Sequence, residues 1–222
     1  MRWTHDMNTV AHNVSSSIEL MLPDARIRNS TIVALAVARY KSWTTPARYI
    51  PIGGSSPLGI LGHVNAALEL DEQIREGILP MPEKIVLPLG SGGTAAGLLL
   101  GFAIAGLPIE IVGARVGPRA VVNRRRGLGL AKKTAAFIER LTGEKLPPLD
   151  PAKLRIVQDV YGGAYGRPLA SAGPSEATFV EAGGPSLDGT YSAKALTTAL
   201  SVARERGGRV LFWLTFDARA IS

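Results

Sequence analysis

The chain contains no cysteine, which removes disulfide scaffolds, thiolate zinc sites, iron–sulfur clusters and a cysteine nucleophile in one step. Histidine is almost as scarce: His5, His12 and His63 are the three present. His5 and His12 lie seven apart, on one face if that segment is helical, but no third ligand stands near them, so no metal site is expected. His63 reads as a helix-surface or crevice residue. Met1 to Ser17 is polar and lacks an apolar stretch after a basic start, so no export signal is expected and a cytoplasmic location is the expectation.

Acid is missing where base is abundant. Between Glu110 and Glu139 there is no Asp or Glu, while Arg115, Arg119, Arg124, Arg125, Arg126, Lys132 and Lys133 supply as much positive charge as the net +7 of the whole chain. A nucleic-acid surface is one reading of such a run. The other is a solvated loop and helix start after a strand, and it is favoured because no aromatic is interleaved for base stacking. No nucleic-acid partner is expected.

Charge of either sign is also absent from Ile85 to Ile109, a run of 25 residues that carries Gly93, Gly97 and Gly101 at the four-residue spacing of membrane helix contacts. Pro88, the Gly90-Ser91-Gly92-Gly93 cluster and Pro108 cut the run into a short strand, a loop and a helix of about 13 residues, too short to cross ~30 Å of hydrocarbon. No membrane partner is expected. With 222 residues and 46% apolar content the chain is long enough to bury one or two cores. Glycine, at 25 residues, runs at about one and a half times its usual share and is clustered.

Cut at those breakers, Lys84–Leu89 reads as a buried strand, Thr94–Ala105 as an apolar helix and Ile109–Val116 as the next strand, a right-handed β-loop-α-β crossover. The alternation predicts helices over Thr31–Trp43, Gly59–Glu76, Thr134–Thr142 and Ala193–Arg206, and strands over Ala47–Ile52, Leu154–Val160 and Arg209–Leu214. Leu146–Pro151, with three prolines, reads as a loop. The expected class is α/β, three-layer, with a mostly parallel sheet and helices on both faces.

Gly90-Ser91-Gly92-Gly93-Thr94 falls between a predicted strand and a predicted helix. There glycine lets the backbone approach an anion, successive N–H groups form a concave nest, and the helix end adds positive partial charge. A phosphate is the expected ligand, although a tight strand-to-helix turn calls for glycine in any case. No lysine follows as in a P-loop, and the spacing is not the dinucleotide fingerprint. Gly53-Gly54-Ser55-Ser56-Pro57-Leu58-Gly59 and Tyr161-Gly162-Gly163-Ala164-Tyr165-Gly166 are further turns after strands, and would face the same crevice. A fourth cluster, Leu187-Asp188-Gly189-Thr190-Tyr191-Ser192-Ala193-Lys194-Ala195, sets a phenol, a hydroxyl and an ammonium ahead of a helix, where Asp188 and Ser192 also suit a turn and an N-cap.

Taken in order, Tyr49 to Gly59, Gly62 to Glu69, Gly90 to Leu98 and Leu187 to Ala195 resemble the second half of the D-cysteine desulfhydrase and 1-aminocyclopropane-1-carboxylate deaminase family. These are fold-type II pyridoxal-phosphate enzymes, related in fold to the tryptophan synthase β chain. The resemblance runs from about Tyr49 to Trp213. It implies pyridoxal 5'-phosphate as cofactor, a small amino acid as substrate and a homodimer. By position in the family's motifs, Gly90, Ser91, Gly92, Gly93 and Thr94 would hold the phosphate, Ser192 would lie near the pyridine nitrogen, and Gly53, Gly54 and Ser55 would form part of the crevice floor. Tyr191 would face the substrate and move a proton, with Tyr165 on the opposite wall.

Three departures accompany the resemblance. The family's cofactor-anchoring lysine and its Ser-Asn-His turn have no counterpart before Tyr49, and Lys194 reads as structural. His63 stands where the family commonly has tyrosine. Trp213-Leu214-Thr215-Phe216-Asp217 lacks the usual Thr-Gly-Gly turn. The expected organisation is therefore a remnant of a small domain with a returning helix over 1–48 and a phosphate-binding large domain over 49–222. The expected function is a pyridoxal-phosphate-dependent lyase or deaminase of D-cysteine desulfhydrase type, truncated and without its anchoring lysine. The alternative is a non-catalytic module of the same fold that binds a phosphorylated ligand or pairs with a partner.

Overall fold

The alternation of strand and helix is carried into one parallel sheet. The computed structural model describes residues 50–206 and 208–215. β1 (Lys84–Leu89), β2 (Glu110–Arg115), β3 (Leu154–Val157) and β4 (Val210–Phe212) lie in the order β3-β2-β1-β4. Every pairing is parallel, with Lys84 opposite Glu110, Ile111 opposite Leu154 and Ile85 opposite Leu211. The strand ends that follow Leu89, Arg115 and Val157 therefore share one edge of the sheet.

Both faces are covered, as a parallel sheet requires. On one, Ile85, Leu87, Leu89 and Ile111 pack with Ala67 and Leu70 of α1 (Leu61–Arg75), Leu98 and Phe102 of α2 (Gly93–Ala105) and Ala131 of α3 (Arg124–Thr142). On the other, Val86 and Val112 meet Ala199 and Val202 of α5 (Ser192–Arg206), and α4 (Ala172–Glu181) closes over α5 through Ala172 and Leu196. This is the three-layer α/β arrangement that the sequence pattern leads to.

α2 is the interior helix of the first layer. Nine of its 13 residues are buried, and each large apolar side chain so buried, such as Leu98 or Phe102, contributes about 1.5–3 kcal/mol. Gly106 at φ 71° ends it, with its own N–H on the Ala103 carbonyl at 3.3 Å and the Leu107 N–H on Phe102 at 2.9 Å, a paired closure that satisfies the last carbonyls. The glycine spacing that matches membrane contacts serves α1 instead. A Cβ at Gly97 would stand 2.4 Å from His63 Cβ and 2.9 Å from the Ile60 carbonyl, and one at Gly101 would stand 2.4 Å from Ala67 Cβ. Among the described residues no helix is long and apolar enough to span a membrane.

Several boundaries differ from the sequence expectation. α3 begins at Arg124 rather than Thr134, with Asn123 as its cap, its side chain accepting the Arg126 N–H at 3.0 Å. β3 stops at Val157, and a 3-10 turn over Asp159–Tyr161 takes up the rest of the expected strand. Ile52–Gly54 is likewise a 3-10 turn where a strand end was expected. β4 keeps only Val210–Phe212, and α4 forms where no element was expected. The helix expected over Thr31–Trp43, the start of the strand at Ala47, the 1–48 segment, His5, His12, Phe216 and Asp217 lie outside the described residues.

Gly97→Ala should destabilise the fold by about 1–3 kcal/mol, because its methyl has nowhere to go without moving α1. Gly62→Ala, with nothing within 4 Å of the added carbon, should be neutral or stabilising by up to ~1 kcal/mol. Urea unfolding of the two variants side by side checks this; equal effects would contradict the packing account.

Candidate functional site

The loop after β1 leaves the N-terminus of α2 open. Gly92, at φ 89°, caps the helix with no side-chain hydrogen bond, and the first closing bond runs from Ala96 N–H to the Gly92 carbonyl at 2.9 Å. The N–H groups of Gly93, Thr94 and Ala95 precede that bond and have no partner within the helix. Together with the left-handed turn at Gly92, they form a concave set of donors at the positive end of a helix.

Two further loops close on this one. Ser55 Oγ lies 2.8 Å from Ser91 Oγ. A Cβ at Gly53 would stand 2.4 Å from Ser91 Oγ, and one at Gly93 would stand 2.8 Å from Ser55 Oγ, so the absence of side chains at both positions lets the loops touch. Gly53 and Gly54 are both left-handed, at φ 66° and 63°. From the other side, Asn123 and Arg126 at the start of α3 line a narrow crevice with Gly90, Ser91 and Gly92. The basic run is thus split by the fold: Arg126 borders the glycine loop, while Arg124 donates to the Pro151 carbonyl. A wider groove of about 720 Å³ between α4 and α5, lined by Ser171, Thr178, Thr197, Ser201 and Arg204, shares no residue with this crevice.

The start of α5 reaches the same sheet edge. The Asp188 carboxylate accepts the N–H groups of Thr190, Tyr191 and Ser192 at 3.0, 2.7 and 3.0 Å, a cap worth about 0.5–2 kcal/mol. That cap fixes Tyr191, whose Cε1 would lie 3.8 Å from a Cβ at Gly90. The Tyr191 and Tyr165 hydroxyls are hydrogen-bonded, with the rings edge to face at 6.1 Å. Burial first, then the bond to Tyr165 and the nearby Tyr165 and Asp188 charges, push the Tyr191 phenol well above its ordinary range. It therefore remains protonated far into alkaline solution. Ser192 is buried, and its Oγ has no hydrogen-bond partner among the described residues.

Two cations lie behind these groups. Arg115, at the end of β2, is buried, donates to the Gly117 and Gln158 carbonyls at 2.8 and 3.1 Å, and stacks over Tyr161 at 4.3 Å. Lys194 is fully buried with its ammonium on the Tyr161 carbonyl at 3.0 Å. Burial, and then the Arg115 charge, lower its proton affinity, while Asp188 opposes them. Both cations hold the 3-10 turn that leads to Tyr165.

The family model for pyridoxal-phosphate-dependent enzymes matches residues 25–215. The chain belongs to that family. It is 35% identical over 185 residues to nocardicin C-9' epimerase of Nocardia uniformis subsp. tsuyamanensis, covering 83% of this chain and 54% of that protein. It is 30% identical over 176 residues to D-cysteine desulfhydrase of Salmonella schwarzengrund, covering 78% and 51%. A crystal structure of an ACC deaminase homologue superposes with a TM-score of 0.64 at 29% identity, over 81% of this chain and 52% of that one. The chain thus spans about half the length of the curated relatives it matches.

Pyridoxal phosphate is the cofactor this family implies, and the residues present fit it. The glycine loop offers a cradle that side chains would fill, the open α2 amides suit a phosphate dianion, and the orphaned Ser192 hydroxyl is a free donor or acceptor for a ring nitrogen. Of the residues singled out from sequence, Gly53, Ser55, Gly90–Thr94, Tyr165, Tyr191 and Ser192 converge on one sheet edge. Asp188 takes the turn-and-cap role that its position suits, whereas Arg126 beside the loop and the Arg115–Tyr161–Lys194 stack were not assigned there, because each acts across more than 20 positions of sequence. The signal for Asp188 was its place four residues ahead of Ser192 at a helix start.

Tyr165→Phe removes the hydrogen bond and charge that help hold the Tyr191 proton. The Tyr191 ionisation should then fall back toward its ordinary 10.0 while staying above it, since burial remains. Tyrosinate absorbance across alkaline pH measures this, and an unchanged titration of the remaining phenols would contradict the coupling.

Proposed function

We propose that this chain supplies the cofactor-phosphate half of a pyridoxal-phosphate-dependent lyase or deaminase acting on a small amino acid, in the manner of D-cysteine desulfhydrase. The observation that carries the reading is the convergence on one edge of an open helix N-terminus, a buried hydroxyl with no partner among the described residues and a hydrogen-bonded phenol pair. When bound, the cofactor draws off negative charge that develops on the amino acid.

In this reading Gly90–Thr94 bind the phosphate through backbone amides, with Arg126 adding charge at the rim. Ser192 Oγ would meet the pyridine nitrogen, where a neutral hydroxyl would leave that nitrogen without a carboxylate's pull. Tyr191 Oη holds the proton to be moved at the substrate, and Tyr165 keeps that phenol in place. Lys194 is structural, since its ammonium is enclosed and already donates to Tyr161, so the lysine that anchors the cofactor comes from another segment. The relatives include an epimerase as well as a desulfhydrase, so the bond broken after cofactor binding is the finest part of the proposal. The family resemblance also supports a homodimer.

The test compares pyridoxine 5'-phosphate with pyridoxine by calorimetry. The phosphate ester should bind and the alcohol should bind at least about tenfold more weakly, because the loop recognises the dianion. Gly92→Asp, which sets a carboxylate in the nest at a φ of 89°, should abolish the difference. Equal binding of both compounds would sink the reading. Binding without turnover of D-cysteine, even with a lysine-bearing partner segment supplied, would leave the non-catalytic module in its place.

A further inference from the structure

One imidazole stands behind the phosphate loop. His63, half-buried on α1, has its Nε2 3.3 Å from Thr94 Oγ1. Thr94 lies in the first turn of α2, where its own N–H is among the open donors. The contact depends on Gly97, since a Cβ there would stand 2.4 Å from His63 Cβ. Among the described residues no charged side chain competes for the ring from its neighbours: α2 carries none, the segment 52–60 carries none, and α1 carries none before Glu69. Glu69 is six positions along, about 9 Å up the helix.

Burial lowers the proton affinity of His63 below the ordinary imidazole value of 6.5, so at neutral pH the ring is uncharged. A dianion at the α2 N-terminus would add a charge that none of the described neighbours supplies. Resting on the phosphate-site reading above, we propose that His63 belongs to that site and takes up a proton from solvent when a phosphate dianion enters the Gly90–Thr94 loop. The protonated ring donates from Nε2–H to Thr94 Oγ1, which frees the Thr94 hydroxyl proton to be donated to the anion. In the uncharged ring with a bare Nε2, that same proton is spent on the imidazole and Thr94 offers the anion only a lone pair.

The sign follows from linkage. The ligand raises the proton affinity of His63, so the extra binding strength is fully present below the free protein's pKa and fades as pH rises through the pKa of the complex. A rise of one unit corresponds to about tenfold in affinity across that window.

Two probes test it, pyridoxine 5'-phosphate and sulfate, the second having no titration of its own near neutral pH. The His63 ring is followed by NMR through a pH titration with and without each probe, and affinity is measured from acid to alkaline pH for the wild type and for His63→Gln, which keeps a donor toward Thr94 but does not titrate. The expected result is an upward shift of the His63 titration by about one unit on binding, with a roughly tenfold pH dependence of sulfate affinity that vanishes in His63→Gln. Binding with no movement of the His63 titration, or a pH dependence that persists in the variant, overturns the inference and leaves the phosphate site intact. Failure of both probes to bind at any pH overturns the phosphate reading itself, and the inference with it. Should the variant not fold, the wild-type titration decides alone.

Discussion

Burial of α2 between the sheet and α1 sets the position of every group at the sheet edge. A helix that is apolar except for Thr94 has no face to give to water, so it must be enclosed, and enclosure needs α1 to come within backbone distance. Gly93, Gly97 and Gly101 permit that approach; side chains at the last two would collide with His63 and Ala67. The consequence is positional. A helix locked into the interior on every side presents its N-terminus at a fixed point on the sheet edge, and that end is uncapped by any side chain. Free donors at a fixed point suit an anion before any particular residue is considered.

The remaining site groups are arranged around that end by devices of different strength. Asp188 fixes the start of α5 through three backbone N–H groups, which sets Tyr191 beside Gly90. The Tyr161 turn is pinned from behind by Lys194 and Arg115, which carries Tyr165 onto Tyr191. Two buried cations near one ring are costly unless each is hydrogen-bonded, and both donate to carbonyls. Their role is to hold a loop. An enclosed Lys194 ammonium cannot also serve as a nucleophile without giving up the Tyr161 carbonyl.

How much of this was legible follows from the range of each interaction. β1 is bounded by Lys84 and Leu89 as the sequence suggests, because Pro82 and Gly90 punctuate it and both its faces are apolar. α2 was legible to within one residue for the same reason. α3 was not: Gly127 and Gly129 read as loop by propensity, yet Gly127 lies against Leu154, whose Cδ2 would be 3.2 Å from an added Cβ, so close packing selects glycine inside a helix. α4 was hidden by Gly173 and Pro174 in its first turn, where proline is tolerated. β3 ends early because the Gln158 carbonyl is taken by Arg115, a partner 43 positions away that no local pattern reveals. The glycine loops and the Tyr191-Ser192 pair could be read locally; the contacts of Ser55 with Ser91 and of His63 with Thr94 required the fold.

In the function proposed above, the open amides at the start of α2 are the phosphate ligand set of a pyridoxal-phosphate-family domain. Backbone amide NMR during addition of pyridoxine 5'-phosphate tests it most directly. A phosphate held there gives the largest shifts, with slowed amide exchange, at Gly93, Thr94 and Ala95 and at the adjoining Ser91 and Gly92. Shifts concentrated instead on the groove between α4 and α5, or spread evenly over the basic start of α3 with no response from the α2 amides, would contradict it.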